Sequence, residues 1–185
     1  MKKYALLLFL IFISTEVISQ KKDKYSIWAN VGGGISLSKF SKGNGGLSYN
    51  FGLSASRGKW MLALKHRNET EFILFVTPHE SFKSTSVLFG LSNRMLKESS
   101  NIQLNANLLI GASIIKISER GKLIEDERWS NKYEINGSSA IGLPFEFELQ
   151  LRLKNYFGFS FSVFSNINGY ENLFGFGFNL LVGKM

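Results

Sequence analysis

The segment Ile141–Leu153, IGLPFEFELQLRL, alternates apolar and polar residues over almost its whole length. A β-strand sends successive side chains to opposite faces, whereas a helix would scatter the two sets around its circumference. We therefore predict a strand with one apolar and one polar face. The polar face carries Glu146, Glu148, Gln150 and Arg152.

Seven other segments show the same alternation, and no segment after the first residues shows a convincing helical period. The connections between the eight predicted strands alternate between short and long, which is typical of an up-and-down membrane barrel. We therefore predict an all-β fold, an eight-stranded antiparallel up-and-down transmembrane β-barrel. The other segments are 25–37, 47–55, 60–76, 86–92, 102–114, 157–166 and 174–183. The short connections are 56–59, 96–101 and 154–156, and the long ones are 38–46, 77–83, 116–133 and 166–172.

Residues 1–19 have the pattern of a cleaved secretory signal peptide. Lys2 and Lys3 precede an apolar run at 5–13, and Val17 and Ser19 form a small-residue cleavage site. The run is too short to cross a bilayer as a helix, which takes about 20 apolar residues. We predict a signal peptide at 1–19 and one barrel domain at 20–185, with no linker and no second domain. The absence of cysteine excludes a lipid-anchored lipoprotein and disulfides.

Alternation does not reveal which face of the barrel points outward. A soluble lipocalin-like barrel would turn its apolar face inward around a ligand, whereas a membrane barrel would turn it toward lipid. The polar face is rich in small Gly, Ser and Asn residues and carries charges of both signs, which favours a narrow, self-neutralising lumen. We predict a membrane barrel and keep a soluble periplasmic barrel that binds an apolar ligand as the alternative. The predicted lumen charge network is Lys65, Arg67, Arg94, Glu146, Glu148 and Arg152.

Two local features bear on how the strands sit in a bilayer. Pro144 cannot donate a hydrogen bond to a strand ladder, so we expect it near the outer rim, at a bulge or where regular pairing starts. Trp60, Tyr156 and Phe157 lie beside predicted short turns, where an aromatic girdle would meet the membrane interface.

Three strands carry a resemblance to a known family. The stretches IGLPFEFELQL at 141–151, YFGFSFSVFSNIN at 156–168 and FGFGFNLLVGKM at 174–185 resemble a family of short outer-membrane β-barrel proteins of Gram-negative bacteria. LFGLSNRM at 88–95 is similar to the family's middle strand. The resemblance covers about half of the chain after the signal. Its motifs are structural, so it implies the barrel fold and an outer-membrane location, and it implies no active site.

Few residues suggest catalysis or metal binding. His79 and Ser81 stand two apart, which resembles the arrangement of an outer-membrane lipid A deacylase, and a barrel lipid A hydrolase is therefore an alternative. No acidic residue is clearly placed to orient His79, and the pair falls in a predicted loop. His66 and His79 lack the clustered ligands of a metal site. We therefore expect no enzymatic activity, no cofactor and no metal.

The predicted size and charge limit the remaining functions. The side chains of an eight-stranded barrel fill its interior, so bulk transport is not expected. The formal net charge is +8, but the basic residues form no basic helix or stripe. Nucleic acid is therefore not an expected partner. We expect a structural or surface-interaction protein whose partners are outer-membrane lipid, the barrel insertion machinery and an extracellular partner at the loop 116–133.

Overall fold

The computed structural model describes residues 25–37, 46–72, 76–77, 79–95, 102–127, 130–153 and 156–184. The predicted signal peptide at 1–19 lies outside these residues, as does most of the predicted loop 38–46. In this part of the chain there is no helix of the length and apolar character needed to cross a membrane.

The described chain forms eight long strands and one strand of two residues. Each long strand pairs antiparallel with the next long strand, and β1 pairs with β9 from Ile27↔Lys184 to Leu37↔Phe174, which closes the ring. The short strand β4 runs parallel to β7. The prediction of an eight-stranded antiparallel barrel is therefore confirmed. The strands are β1 (Tyr25–Leu37), β2 (Gly46–Arg57), β3 (Trp60–Glu71), β4 (Val76–Thr77), β5 (Ser81–Arg94), β6 (Ile102–Glu127), β7 (Ser130–Leu153), β8 (Phe157–Asn168) and β9 (Leu173–Lys184).

The apolar rows of the strands face outward. On β7, Phe145, Phe147 and Leu151 are exposed, while Glu146 and Glu148 between them are buried inside the barrel. Phe161 on β8 stacks on Phe176 of β9 along the same outer surface, with ring centroids 6.2 Å apart. The alternative of a soluble barrel with an enclosed apolar cavity is therefore wrong. The outer surface is a continuous apolar belt of the kind that contacts lipid chains.

Two apolar clusters lie inside the barrel. They consist of residues that break the alternation, such as Phe164, which points inward although its neighbours on the same face are polar. The cluster toward the short turns contains Trp28, Met61, Ala63, Leu88, Leu109 and Leu181. The cluster toward the long connections contains Phe82, Ile115, Ile117, Phe164 and Leu173. Polar side chains fill the space between them, so the lumen is packed in layers.

Three strand regions differ from the prediction, and the first is β5, which starts at Ser81 inside the predicted connection 77–83. β3 ends at Glu71, and Val76 belongs to the separate strand β4, so the predicted continuous strand 60–76 is wrong. The predicted loop 116–133 is also wrong, because β6 continues to Glu127 and β7 starts at Ser130. In β6 and β7 the apolar alternation of the sequence ends before the strands do. Cross-strand pairing continues there, because a hairpin away from lipid needs no apolar face.

Pro144 lies inside β7 with its ring turned into the lumen. It is the third residue of the pairing with β8, which starts at Gly142↔Asn168, and this agrees with the expected position near the start of pairing. No bulge occurs here, because the β6–β7 register is the same at Ile110↔Phe145 and Ser113↔Gly142. The register places Pro144 opposite Gly111, so the residue facing the proline ring has no side chain.

Replacing Gly111 with alanine tests how closely β6 packs against β5 at this position. A Cβ at position 111 would lie 1.8 Å from the Val87 carbonyl oxygen, so β5 and β6 would have to separate. We expect Gly111→Ala to destabilise the folded barrel by about 1–3 kcal/mol, measured by urea unfolding in detergent micelles. Gly137→Ala in β7 is the matched control, because a Cβ there meets no atom within 4 Å. Equal stability of the two variants would contradict the close approach of β5 and β6 at Gly111.

Candidate functional site

A cluster of buried charges joins opposite walls of the barrel. In the strand order, β5 and β6 separate β3 from β7 on one side, and β2, β1, β9 and β8 separate them on the other. The Lys65 Nζ on β3 nevertheless lies 2.5 Å from the Glu146 Oε1 on β7 and 3.9 Å from the Glu148 Oε2. All three side chains are at most 4% exposed. The contact therefore crosses the lumen and blocks it.

Arg67 extends this cluster toward the long connections. Its Nη2 lies 3.5 Å from the Glu146 Oε2, and its Nε lies 3.9 Å from a carboxylate oxygen of Glu69. The guanidinium carbon also sits 3.4 Å from the centroid of the Phe164 ring. Arg67 thus connects the charged layer to the apolar cluster above it, and the aromatic face adds a cation–π contact that needs no water.

Arg152 connects the same layer to the apolar cluster near the short turns. It donates hydrogen bonds from Nε and Nη2 to the Gln150 side-chain oxygen, at 3.3 and 3.0 Å. Gln150 in turn donates to the Glu148 carboxylate at 3.0 Å. The Arg152 guanidinium carbon lies 4.5 Å from the ring centroid of Trp28. Arg152 therefore reaches Glu148 through Gln150 and caps the buried tryptophan.

Arg94 lies at the edge of the predicted network, within electrostatic range of Arg152. It ends β5 at the short-turn end of the barrel and is exposed. With its amide oxygen turned toward Arg94, the Gln103 side chain accepts from the Arg94 Nε at 2.7 Å. The structure thus joins Lys65, Arg67, Glu146, Glu148 and Arg152 in one cluster and places Arg94 at the rim.

A second charged cluster forms at the opposite end of the lumen. The Arg120 Nη2 lies 2.6 Å from the Glu71 Oε1, and its Nε lies 3.6 Å from the Glu80 Oε1. The backbone N–H of Arg120 also donates to the Glu80 carboxylate at 3.2 Å. The sequence reasoning missed this cluster because it placed Arg120 in a loop. The alternation of β6 could not have revealed it either, because its even positions face outward and Arg120 reaches Glu71 and Glu80 only through the three-dimensional arrangement.

The first cluster is neutral as a set, which lowers the cost of keeping its charges in a closed lumen. Buried charges are stable only when each is paired and hydrogen-bonded, since removing a lone ion from water is very costly. Lys65, Arg67 and Arg152 balance Glu69, Glu146 and Glu148 in the first cluster. Chemically this arrangement stabilises and seals the barrel.

The His79–Ser81 pair does not form a catalytic arrangement in the structure. His79 is exposed and precedes β5, whereas Ser81 is the half-buried first residue of that strand. Within the described chain no hydrogen bond joins the two side chains. Glu80 between them is buried and engaged with Arg120.

The two histidines lie on separate surfaces. His66 is on the outer face of β3, where its Nδ1 lies 3.0 Å from the Thr85 hydroxyl oxygen and its ring packs 5.1 Å from that of Phe51. His79 is exposed before β5. The described residues contain no group of three or more His, Cys, Asp or Glu side chains that could hold a metal ion.

Comparisons with known proteins show similarity in fold. No protein-family model and no curated protein sequence matches the chain. Among solved structures, Ail of Yersinia pestis in complex with the heparin analogue sucrose octasulfate is similar at a TM-score of 0.56 and 14% identity, over 87% of this chain and 98% of Ail. Neisserial surface protein A is similar at a TM-score of 0.52 and 12% identity, over 85% of this chain and 96% of that protein.

A third structure extends the similarity to a barrel that is one domain of a larger protein. The N-terminal β-barrel domain of Pseudomonas aeruginosa OprF matches at a TM-score of 0.50 and 12% identity, over 86% of this chain and 99% of the domain. At such identities the likeness concerns the fold, and the apolar belt supplies the independent evidence for lipid contact. The chain is an eight-stranded β-barrel of the bacterial outer-membrane type.

Proposed function

We propose that the chain is a non-enzymatic outer-membrane barrel that holds a protruding β-hairpin toward the cell exterior as a contact surface for a protein partner. The observation that carries this proposal is the extension of β6 and β7 beyond β5 and β8, with the two-residue strand β4 paired to β7 at Asn131 and Lys132. The last pair of β6 with β5 is at Ser118, and the first pair of β7 with β8 is at Gly142. The outer hairpin, defined as residues 119–127 and 130–141, rises beyond both of these points.

The length of the outer hairpin places its tip far from the bilayer. The nine residues 119–127 follow the last pair with β5, and at about 3.4 Å per residue they span about 30 Å along the strand. Outer-membrane barrels have short turns on the periplasmic side and long connections on the outside. The short turns here join β2 to β3 and β7 to β8, so the outer hairpin lies at the extracellular end.

The outer hairpin has features of a binding edge. In the described chain, β6 beyond Ser118 pairs only with β7, so its other edge carries backbone groups that an added strand could pair with. Leu123, Ile124 and Ile135 are exposed on the hairpin. An unpaired edge flanked by exposed apolar side chains supports contact with a protein surface.

The charge of this region favours a protein over a polyanionic partner. Residues 119–141, which span the outer hairpin, contain four Lys and Arg and five Asp and Glu, so their formal charges nearly cancel. Ail, which shares the fold, was solved with a heparin analogue, a polyanion. A balanced hairpin gives such a ligand no net attraction, whereas mixed charges suit a protein partner with complementary charges.

The packed lumen argues against the function of a bulk porin. The Lys65–Glu146 contact spans the interior, and apolar clusters fill it on both sides. Barrels of eight strands have an interior just wide enough for such side chains. We therefore propose that the barrel is an anchor, and we expect no catalytic turnover from His79 and Ser81.

Removing Lys65 tests the sealed lumen. Lys65→Met leaves Glu148 without its cation and Glu146 with Arg67 alone, so we expect a loss of about 3–5 kcal/mol in the free energy of unfolding. Urea titration of the refolded barrel measures this loss. Lys83→Met, at an exposed position of β5, is the control and should change stability by less than about 0.5 kcal/mol. Equal effects, or porin-like conductance of the wild-type barrel in planar bilayers, would contradict a sealed interior.

A photo-crosslinking amino acid at the outer hairpin tests the contact surface. Placed at Ile124, which is 66% exposed, it should give a discrete protein adduct when the protein is irradiated in living cells. The same group at Phe161 faces the apolar belt and should give no such adduct. Folding of both variants is checked by their shift in electrophoretic mobility on boiling. A folded Ile124 variant with no adduct, or with the same adduct as the Phe161 variant, would refute the proposed role of the hairpin.

A further inference from the structure

The net positive charge of the chain is concentrated in sequence segments that adjoin the short-turn ends of the strands. Loss of residues 1–19 lowers the formal net charge from +8 to +7, since they contain Lys2, Lys3 and Glu16. The sequence segments that adjoin the short-turn ends of the strands contain nine Lys and Arg but only two Asp and Glu, which accounts for the whole +7. The rest of residues 20–185 contains eleven of each sign. The segments are 20–24, 57–59, 94–101, 154–156 and 183–185.

The structure places four of these cations around the short-turn end. Arg57 ends β2, Lys59 lies in the turn to β3, Arg94 ends β5 and Lys184 ends β9. We call these four residues the basic rim. The register puts Arg57 beside Tyr25 on β1, and Lys184 beside Ile27 on the same strand. Among the described residues of this end, none is Asp or Glu.

Aromatic rings hold two of the rim cations at the edge of the apolar belt. The Arg57 guanidinium carbon lies 4.9 Å from the ring centroid of Tyr25, and the Lys59 Nζ lies 5.3 Å from that of Trp60. Tyr25, Trp60 and Tyr156 are all exposed. Aromatic residues of membrane proteins settle at the depth of the lipid headgroups. The cations beside them therefore lie where the phosphates are.

We propose that the basic rim binds the phosphates of anionic phospholipids in the periplasmic leaflet of the outer membrane. The short turns face the periplasm, and cations next to an anionic lipid surface are attracted by its phosphates. The rim cations lie on one continuous arc of the barrel, β5–β3–β2–β1–β9. Arg57 and Lys59 stand beside exposed aromatic rings at the edge of the apolar belt, which favours lipid headgroups over a soluble protein partner.

This inference goes beyond the proposed contact surface and does not depend on it. The outer hairpin lies at the other end of the barrel, where positive and negative charges balance. The net charge distinguishes the rim from the other cations, since the cations elsewhere are matched by an equal number of acidic residues.

Spin-labelled lipids measure directly whether the barrel prefers phosphatidylglycerol to phosphatidylcholine. The mature barrel is refolded into phosphatidylcholine bilayers that contain a trace of spin-labelled phosphatidylglycerol or spin-labelled phosphatidylcholine. The motionally restricted fraction in the electron paramagnetic resonance spectrum gives the relative association constant of the two lipids. We expect a preference for phosphatidylglycerol of about two- to fivefold at low salt, which falls as salt screens the charges.

Two triple variants that each remove three cations distinguish an effect of the basic rim from an effect of total charge. Arg57→Gln, Lys59→Gln and Lys184→Gln together should bring the preference close to one. Lys83→Gln, Lys116→Gln and Lys122→Gln together remove three exposed cations far from the short turns and should leave the preference unchanged. If the triple rim variant does not fold, Lys59→Gln and Lys184→Gln singly should each lower the preference. No preference in the wild-type barrel, or equal losses in both sets, would overturn the proposal.

Discussion

Lipid hydrocarbon offers no hydrogen-bond partner to a backbone amide, and the whole structure depends on this constraint. A sheet that crosses a bilayer must pair every strand on both sides, so it must close into a ring. The pairing of β1 with β9 over eleven residue pairs meets this demand. Once the ring is closed, strand geometry alone divides the side chains into an outer set and an inner set. The apolar rows then contact lipid, and the polar rows are confined to a narrow interior.

The narrow interior determines what the barrel can do. Its polar side chains cannot reach bulk water, so the charged ones must neutralise each other, as Lys65 and Arg67 do with Glu146. The apolar clusters at both ends complete the filling. A filled interior leaves little room for transport, which is why we propose that the barrel acts as an anchor. The surfaces that remain for function are its two ends, where we propose a partner-binding hairpin on one side and a lipid-binding basic rim on the other.

The strands that cross the membrane could be predicted from the sequence because lipid on one side and a narrow lumen on the other impose strict alternation. Phe164 broke this alternation for a reason that is visible only in three dimensions, since it packs inside against Arg67. Outside the bilayer the constraint disappears, and the pattern of residues 116–133 gave no strand signal although cross-strand pairing makes them a hairpin. For the same reason the Arg120 cluster was missed. Lys65 and Glu146 could be assigned to the lumen, but their pairing across it follows from strand order and register, which alternation does not contain.

Accessibility along one strand tests most directly whether the apolar rows face lipid. The chain contains no cysteine, so single cysteines at positions 158–163 of β8 can each carry a nitroxide without background labelling. Collision rates with oxygen, which concentrates in lipid, should be high at 159, 161 and 163 and low at 158, 160 and 162, while a water-soluble nickel reagent should reach none of the six efficiently. The opposite phase, or free access of the nickel reagent to 159, 161 and 163, would contradict the account.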